Sequence, residues 1–146
     1  MHSLPVSSPL PWARALGIAG MLPFAAGAAS LWILRDAAAS AHAGFALAAY
    51  AATIVSFLGG VHWGPALRAG GLAPAPLIWG VLPQLAGWLA LLMPLHASLL
   101  TCAAALVACY AADRRLYPQA GLAAWLPMRL KLTVVATASC LLGAIS

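Results

Sequence analysis

His62 and Asp113 are the two side chains of this sequence best suited to acid–base or ligand chemistry. His62 ends an apolar run in the segment SFLGGVHWG, with Trp63 beside it, and Asp113 ends another apolar run, followed by Arg114. An imidazole changes charge near neutral pH, so a histidine at this point could accept a proton or hold a ligand. We take all four residues as candidates for ligand binding. The structural alternative for His62 is a boundary histidine that hydrogen-bonds to a neighbouring helix.

Basic residues near the same boundary suit the phosphate groups of lipids. Arg115, Arg129 and Lys131 flank apolar runs, and a basic residue near a membrane surface contributes about 1 kcal/mol to the attraction for anionic head groups. These three are our candidates for lipid phosphate binding. Asp113 itself needs a cation. An ion pair there would hold the polar segment that follows, residues 113–127, against the helical bundle. Its available partners are Arg68, Arg114, Arg115 and Arg129.

Gln84 is the one strongly polar side chain near the middle of an apolar run. A primary amide in hydrocarbon requires a hydrogen-bond partner, so this residue is a further candidate for ligand binding. Together with His62 it could line a polar path in a small oligomeric transporter or channel. Its candidate partners on other runs are Thr53, Ser56, Thr133 and Thr137.

Several classes of enzyme are excluded by what the sequence lacks. Asp and Glu together number 2, which leaves no carboxylate pair for glycoside or aspartyl chemistry. The sequence contains none of the HExxH, CxxC, GxSxG, P-loop or GxGxxG motifs. We therefore assign no catalytic residue and no metal site, expect a protein that is not an enzyme, and predict no cofactor, although a lipid or a quinone stays open as a ligand.

Composition indicates that lipid is the solvent of this chain. Hydrophobic residues make up 64% and charged residues 6%, against roughly 45 to 50% and 25% in an ordinary soluble domain. The net charge of +5 falls at the ends of apolar runs instead of covering a face, which argues against nucleic acid as a partner. Five runs approach the ~20 residues that cross a membrane as a helix. We predict one all-α transmembrane domain over residues 1–146, with spans at about 12–34, 44–63, 76–93, 97–112 and 128–145 and an interfacial loop at 113–127.

The basic residues also predict how the chain is oriented in the membrane. With five spans, six basic residues fall on the side of the N-terminus and only Arg35 falls on the other. Because basic flanks resist translocation, the N-terminus is expected in the cytoplasm and the C-terminus in the periplasm of a bacterial inner membrane. The six residues are Arg14, Arg68, Arg114, Arg115, Arg129 and Lys131.

Two segments of the chain share the pattern G-x-L-P-x-x-A-G, one from Gly20 to Gly27 and the other from Gly80 to Gly87. They suggest two repeated helical hairpins plus one helix, although an alanine-rich chain also produces such matches by chance. Pro23 and Pro83 would then lie inside helices and kink them, either for packing or to open a substrate site. Gly59 and Gly60 offer a small face on which another helix can pack.

Four longer motifs stand out in the chain: GGVHWG from Gly59, W-G-x-L-P from Trp79, D-R-R from Asp113, and G-L-x-x-W-x-x-x-R-L-x-L-T-V-V from Gly121. Together they resemble those of a family of small inner-membrane proteins that is known only as a domain of unknown function and occurs in proteobacteria and mitochondria. The resemblance covers about residues 10–144 and implies a five-helix bundle without an established activity. In this chain Leu126 replaces the family's tyrosine and Pro127 precedes the last span.

Taken together, these features favour an inner-membrane protein that acts as an accessory or assembly subunit, or as a lipid-contacting scaffold, of a membrane complex. The partners expected are anionic lipid head groups and either a membrane-protein complex or further copies of the chain. Two alternatives stay open. One is an oligomeric transporter or channel, and the other is a quinone- or lipid-binding enzyme subunit.

Overall fold

The computed structural model describes residues 11–70 and 74–146, and every regular element in these ranges is a helix. Residues 1–10 and 71–73 lie outside the description. In chain order the elements are α1 (Pro11–Ala19), α2 (Leu22–Ile33), α3 (Ala37–Gly60), α4 (Trp63–Arg68), α5 (Pro74–Leu91), α6 (Leu95–Gln119), a 3₁₀ turn (Ala123–Trp125) and α7 (Leu126–Ala144).

Five helical segments are long and apolar enough to cross a membrane, which confirms the predicted all-α bundle of five spans. Two of these segments contain a short break, so that α1 and α2 form one span and α3 and α4 another. The segments are Pro11–Ile33, Ala37–Arg68, Pro74–Leu91, Leu95–Gln119 and Ala123–Ala144.

The polar stretch after the fourth apolar run is helical, where the sequence predicted an interfacial loop over 113–127. Helix α6 continues through Asp113 to Gln119, and only residues 120–122 separate it from the 3₁₀ turn. Asp113 can remain inside the helix because cationic and hydrogen-bonding side chains from two other segments meet it there. Such partners are distant in sequence, so hydropathy alone does not reveal them.

The two proline motifs form different local structures. Pro83 lies inside α5, as predicted, whereas Pro23 stands in the first turn of α2, after a break at Gly20 and Met21. The prediction that Pro23 lies within a continuous helix is therefore wrong. A proline is tolerated in a first turn because its missing N–H would have no partner there. At this break the Tyr50 hydroxyl donates a hydrogen bond of 2.8 Å to the Gly20 carbonyl oxygen. The internal repeat stays a prediction.

Helices α3 and α6 form the centre of the bundle. The most extensive packing joins α3 to α5 and α6 to α7, while α2 lies against α3 and α7. Glycines bring the backbones of α3 and α5 close together, since a Cβ atom at Gly59 would lie 2.7 Å from the carbonyl oxygen of Gly80. The Trp63 indole fills the space that a side chain at Gly80 would occupy. The largest fully buried apolar side chains of the core are Leu47, Val55, Leu99 and Leu106.

Candidate functional site

Asp113 lies at the centre of a buried charged cluster. The residue is 0% exposed, and both of its carboxylate oxygens are engaged. His62 Nε2 donates to Oδ1 at 3.0 Å, while Arg129 Nε donates to Oδ2 at 2.8 Å. Arg129 Nη2 lies 2.7 Å from the same Oδ2 and adds a second close charge contact. Charge-assisted contacts of this kind offset the cost of removing an ionised carboxylate from water.

Three segments converge to form this cluster, and local backbone structure explains how they meet. His62 follows the last residue of α3, where the chain turns into α4. Asp113 lies six residues before the end of α6, and Arg129 is the fourth residue of α7. We call this region of the bundle the His62 end. The arrangement requires a tight connection from α6 to α7, so that Arg129 returns to the level of Asp113.

Gly121 makes that connection. Its φ of 72° is in the left-handed region, which glycine adopts without strain. The Leu122 amide donates to the Tyr117 carbonyl oxygen at 2.8 Å, and the Gly121 amide donates to the Pro118 carbonyl oxygen at 3.3 Å. This pair of hydrogen bonds is the Schellman arrangement that commonly ends helices at a glycine. The turn therefore ends α6 and sends the chain back along it.

Tyr117 encloses the cluster from the helix end, although the sequence analysis did not place it in a site. It follows Asp113 by four residues on α6 and therefore lies on the same helix face. Its side chain is buried, and its ring centroid lies 5.7 Å from that of His62. If the sequence analysis had predicted a helix past Asp113, the four-residue spacing would have placed Tyr117 beside it. The predicted loop gave no reason to do so.

An apolar cavity of about 490 Å³ adjoins the cluster. Helices α1, α2, α3, α6 and α7 line it, mainly with aliphatic and aromatic side chains, and Leu132 is part of its α7 wall. Four residues with polar groups also line it: Tyr117, Trp125, Arg129 and Thr133. Among the residues that the structure describes, neither Thr133 Oγ1 nor Trp125 Nε1 has a hydrogen-bond partner.

A second cavity of about 270 Å³ shares Tyr117 with the first as a wall residue. His62 and Gln119 line it, together with residues of α4 and α6. Val61, Tyr117 and Leu122 belong to the walls of both cavities. The charged cluster thus stands between a mainly apolar cavity on the Arg129 side and a more polar one on the His62 side.

Of the residues predicted to bind a ligand, the structure brings His62 and Asp113 together and leaves the others apart. Trp63 donates its indole N–H to the Leu77 carbonyl oxygen at 3.0 Å, and Arg114 is exposed. Gln84 is exposed on the outer face of α5 and does not meet His62.

The residues predicted to bind lipid phosphate also do not form a single site. Arg115 and Lys131 are exposed, whereas Arg129 is buried and paired with Asp113. Arg129 is one of the four partners that the sequence offered for Asp113. Among the predicted packing residues, Gly59 lies against α5 and Pro83 is buried, while Gly60 has open space beside it and Pro23 is exposed.

Comparisons with known proteins relate the chain to one transmembrane protein and to one family of unknown function. An alignment 82 residues long, which covers 53% of the chain, shows 40% identity to Transmembrane protein 69 of Xenopus tropicalis. The match covers 31% of that relative, so the chain spans less than a third of its length. No solved structure matches the chain. Residues 10–145 match the family model described as "Protein of unknown function (DUF3429)". Since this match includes nearly the whole chain, the protein belongs to that family.

Proposed function

We propose that this protein is a non-catalytic, lipid-contacting membrane protein that binds one amphipathic molecule in the apolar cavity at the His62 end. The ligand we infer has a long apolar tail and a polar end that carries an oxygen acceptor. A quinone carbonyl, a lipid ester and a lipid phosphate share this chemistry. The observation that carries the proposal is a cavity of about 490 Å³, lined mainly by apolar side chains but also by Trp125 and Thr133, whose polar atoms have no hydrogen-bond partner among the described residues.

The size and the walls of the cavity favour an apolar tail. Ligand pockets commonly measure about 300 to 1,000 Å³ and are mostly apolar, with a few polar groups that fix orientation. This cavity falls in that range. The helices that line it belong to segments apolar enough to cross a membrane, so an apolar tail in the cavity would lie at the depth of lipid chains.

The polar groups in the wall favour an acceptor at the ligand's other end. Trp125 Nε1 can only donate a hydrogen bond, and Thr133 Oγ1 can donate or accept. A buried donor without a partner costs about 1 to 3 kcal/mol, and a ligand oxygen that accepts a hydrogen bond from either group would remove that cost. Arg129 lies on the same wall, and its guanidinium, although paired with Asp113, keeps N–H groups that can donate to an electron-rich oxygen.

The charged cluster supports the site by holding Arg129 in place. Both oxygens of Asp113 are occupied, so this carboxylate is poorly placed to act as a base. Asp113 instead fixes the guanidinium at the cavity wall and compensates its charge. We assign Asp113 and His62 as positioning residues for Arg129, which fits a binding role better than a catalytic one.

We further propose that the His62 end faces the cytoplasm of a bacterial inner membrane. Six of the 7 Lys and Arg residues, Arg129 among them, fall on that side if the five spans all cross. Basic residues near span ends remain on the cytoplasmic side. In this orientation the exposed Arg114, Arg115 and Lys131 lie where anionic head groups are concentrated, which suits a scaffold in contact with lipid.

The binding proposal is tested by filling the cavity. Leu132→Trp introduces a larger side chain into the α7 wall, while Leu130→Trp makes the same change on an exposed face of the same helix. Each protein is purified in mild detergent from its own membrane, and the bound lipids and quinones are extracted and quantified by mass spectrometry. We expect about one molecule per chain in the native protein and in Leu130→Trp, and a loss of at least tenfold in Leu132→Trp. Equal amounts in both variants would contradict the proposal.

A further inference from the structure

The outer face of α5 carries a polar residue that no other residue in the described ranges hydrogen-bonds. Helix α5 packs on its neighbours through a buried face that contains Gly80, Pro83 and Gly87. The rest of its surface is exposed. This exposed surface includes Val81, Gln84, Leu85 and Trp88, which recur at helical spacing, and the three apolar residues among them are 39%, 47% and 59% exposed.

Gln84 lies deep in the span. It is ten residues after Pro74 and seven before Leu91, or about 15 Å and 10 Å along the helix axis at 1.5 Å per residue. Within the part of the chain that the structure describes, its side-chain amide makes no hydrogen bond. Hydrocarbon offers no hydrogen-bond partner, and the transfer of an amide from water into such a medium costs about 4 to 8 kcal/mol of free energy. The face that carries Gln84 is therefore a poor surface for contact with lipid.

We propose that two copies of this chain associate through α5, with Gln84 of each copy hydrogen-bonded to Gln84 of the other. A glutamine amide has two donor hydrogens and an acceptor oxygen, so two such groups satisfy each other without a third residue. A two-fold axis along the membrane normal brings the same residue of both copies together at the same depth. Both copies keep the same orientation in the bilayer.

The residues around Gln84 are compatible with this interface. Val81, Leu85 and Trp88 surround the amide with apolar surface, which excludes competing polar groups and packs against the same residues of the other copy. Helices in membranes associate by such packing together with hydrogen bonds between polar side chains. A different protein at this face would need its own polar residue at the same depth, whereas a second copy supplies one by symmetry.

This dimer is independent of the ligand site. Among the described residues, none that lines the 490 Å³ cavity belongs to α5. The two proposals can therefore fail separately, since occupation of the cavity leaves the outer face of α5 unchanged.

Association is measured with the full chain in lipid vesicles, by energy transfer between donor- and acceptor-labelled copies over a range of protein-to-lipid ratios. We expect Gln84→Leu to weaken dimerisation by roughly three- to twentyfold, the effect of losing a hydrogen bond between membrane helices. Gln84→Asn keeps an amide and should retain part of the association. Leu142→Val, on an exposed position of α7, is the matched control and should leave the affinity unchanged. A monomeric native protein, or an unchanged affinity in Gln84→Leu, would overturn the proposal.

Cross-linking in the native membrane provides a second readout that does not depend on stability. Val81→Cys places a thiol on the proposed interface, and Val134→Cys places one on an exposed face of α7. The three native cysteines are buried. Mild oxidation should join two copies through Val81→Cys and leave Val134→Cys monomeric. The proposal is wrong if Val81→Cys becomes joined to a different protein, or if both variants cross-link equally.

Discussion

Arg129 Nε donates a hydrogen bond of 2.8 Å to Asp113 Oδ2, and both side chains are buried although 16 positions separate them in the sequence. The pair joins the last turns of α6 to the first turn of α7 across the Gly121 connection. Two charges inside an apolar bundle are stable only as long as each compensates the other. This relationship gives the most direct test of how the site is built.

Arg129→Met should strongly destabilise the protein, because it leaves the carboxylate of Asp113 buried without its cation. Breaking a buried ion pair typically costs about 3 to 5 kcal/mol in the free energy of unfolding. Reversible unfolding in mixed detergent micelles measures this loss. Arg115→Met removes an exposed arginine and should change the free energy by less than about 0.5 kcal/mol.

Replacing both partners separates the cost of an uncompensated charge from the loss of packing. The double variant Asp113→Leu with Arg129→Met removes both charges and should be more stable than Arg129→Met alone. If the single and double variants are equally destabilised, the buried charge is not the cause, and our account of the cluster is wrong.

The sequence identified the members of this cluster but not their arrangement. His62, Asp113 and Arg129 are conspicuous because polar side chains are rare in this chain. Their pairing depends on helix α6 continuing to Gln119, which the run Asp113-Arg114-Arg115 does not indicate. Charges of this kind usually mark a membrane boundary. Here Asp113 is compensated by groups from two other segments, a long-range effect that local hydropathy cannot reveal.

The number of spans and the depth of Gln84 were easier to predict than the direction in which Gln84 points. A span is recognised from a local run of apolar residues, and depth follows from position within the run. The helix face depends on what packs against it. Gly80, Pro83 and Gly87 permit close contact with α3, so this side of α5 is buried and Gln84 faces outward.

Gly59 and Gly60 provide a second prediction, because these neighbouring glycines differ in what surrounds them. A Cβ atom at Gly59 would lie 2.7 Å from the carbonyl oxygen of Gly80, so Gly59→Ala must push α3 and α5 apart. We expect a loss of about 1 to 3 kcal/mol in the free energy of unfolding. Gly60→Ala meets no atom within 4 Å and should be neutral or stabilising by up to about 1 kcal/mol. Equal effects in micelle unfolding would show that α3 and α5 do not pack this closely.

Thr133 and Thr137 test the polar end of the ligand site. Both hydroxyls are buried without a hydrogen-bond partner in the described ranges, but only Thr133 lines the cavity. Thr133→Val keeps the shape of the side chain and removes the hydroxyl. The amount of ligand that copurifies should fall about five- to tenfold, as expected for the loss of one hydrogen bond of about 1 to 1.5 kcal/mol. Thr137→Val should retain the native amount. A Thr133→Val protein that keeps all of its ligand would exclude this hydroxyl from recognition.

The orientation of the chain gives a fourth prediction. A reporter that is active only in the periplasm, fused after Ser146, should be active, and one that is active only in the cytoplasm should be silent at the same position. The expectation follows from the basic residues on the side of the N-terminus. The opposite pattern of activity would reverse the topology and move the His62 end to the periplasmic face.

The central claim is that one amphipathic molecule occupies the cavity beside Arg129, and native mass spectrometry of the gently extracted protein tests it most directly. Our account predicts a mass adduct of one molecule per chain that survives mild activation and whose fragments show an apolar tail with an oxygen-bearing end. It also predicts that this adduct is absent from Leu132→Trp and present in Leu130→Trp. A native protein that is released bare, or that carries only a stoichiometric protein partner, would contradict the claim.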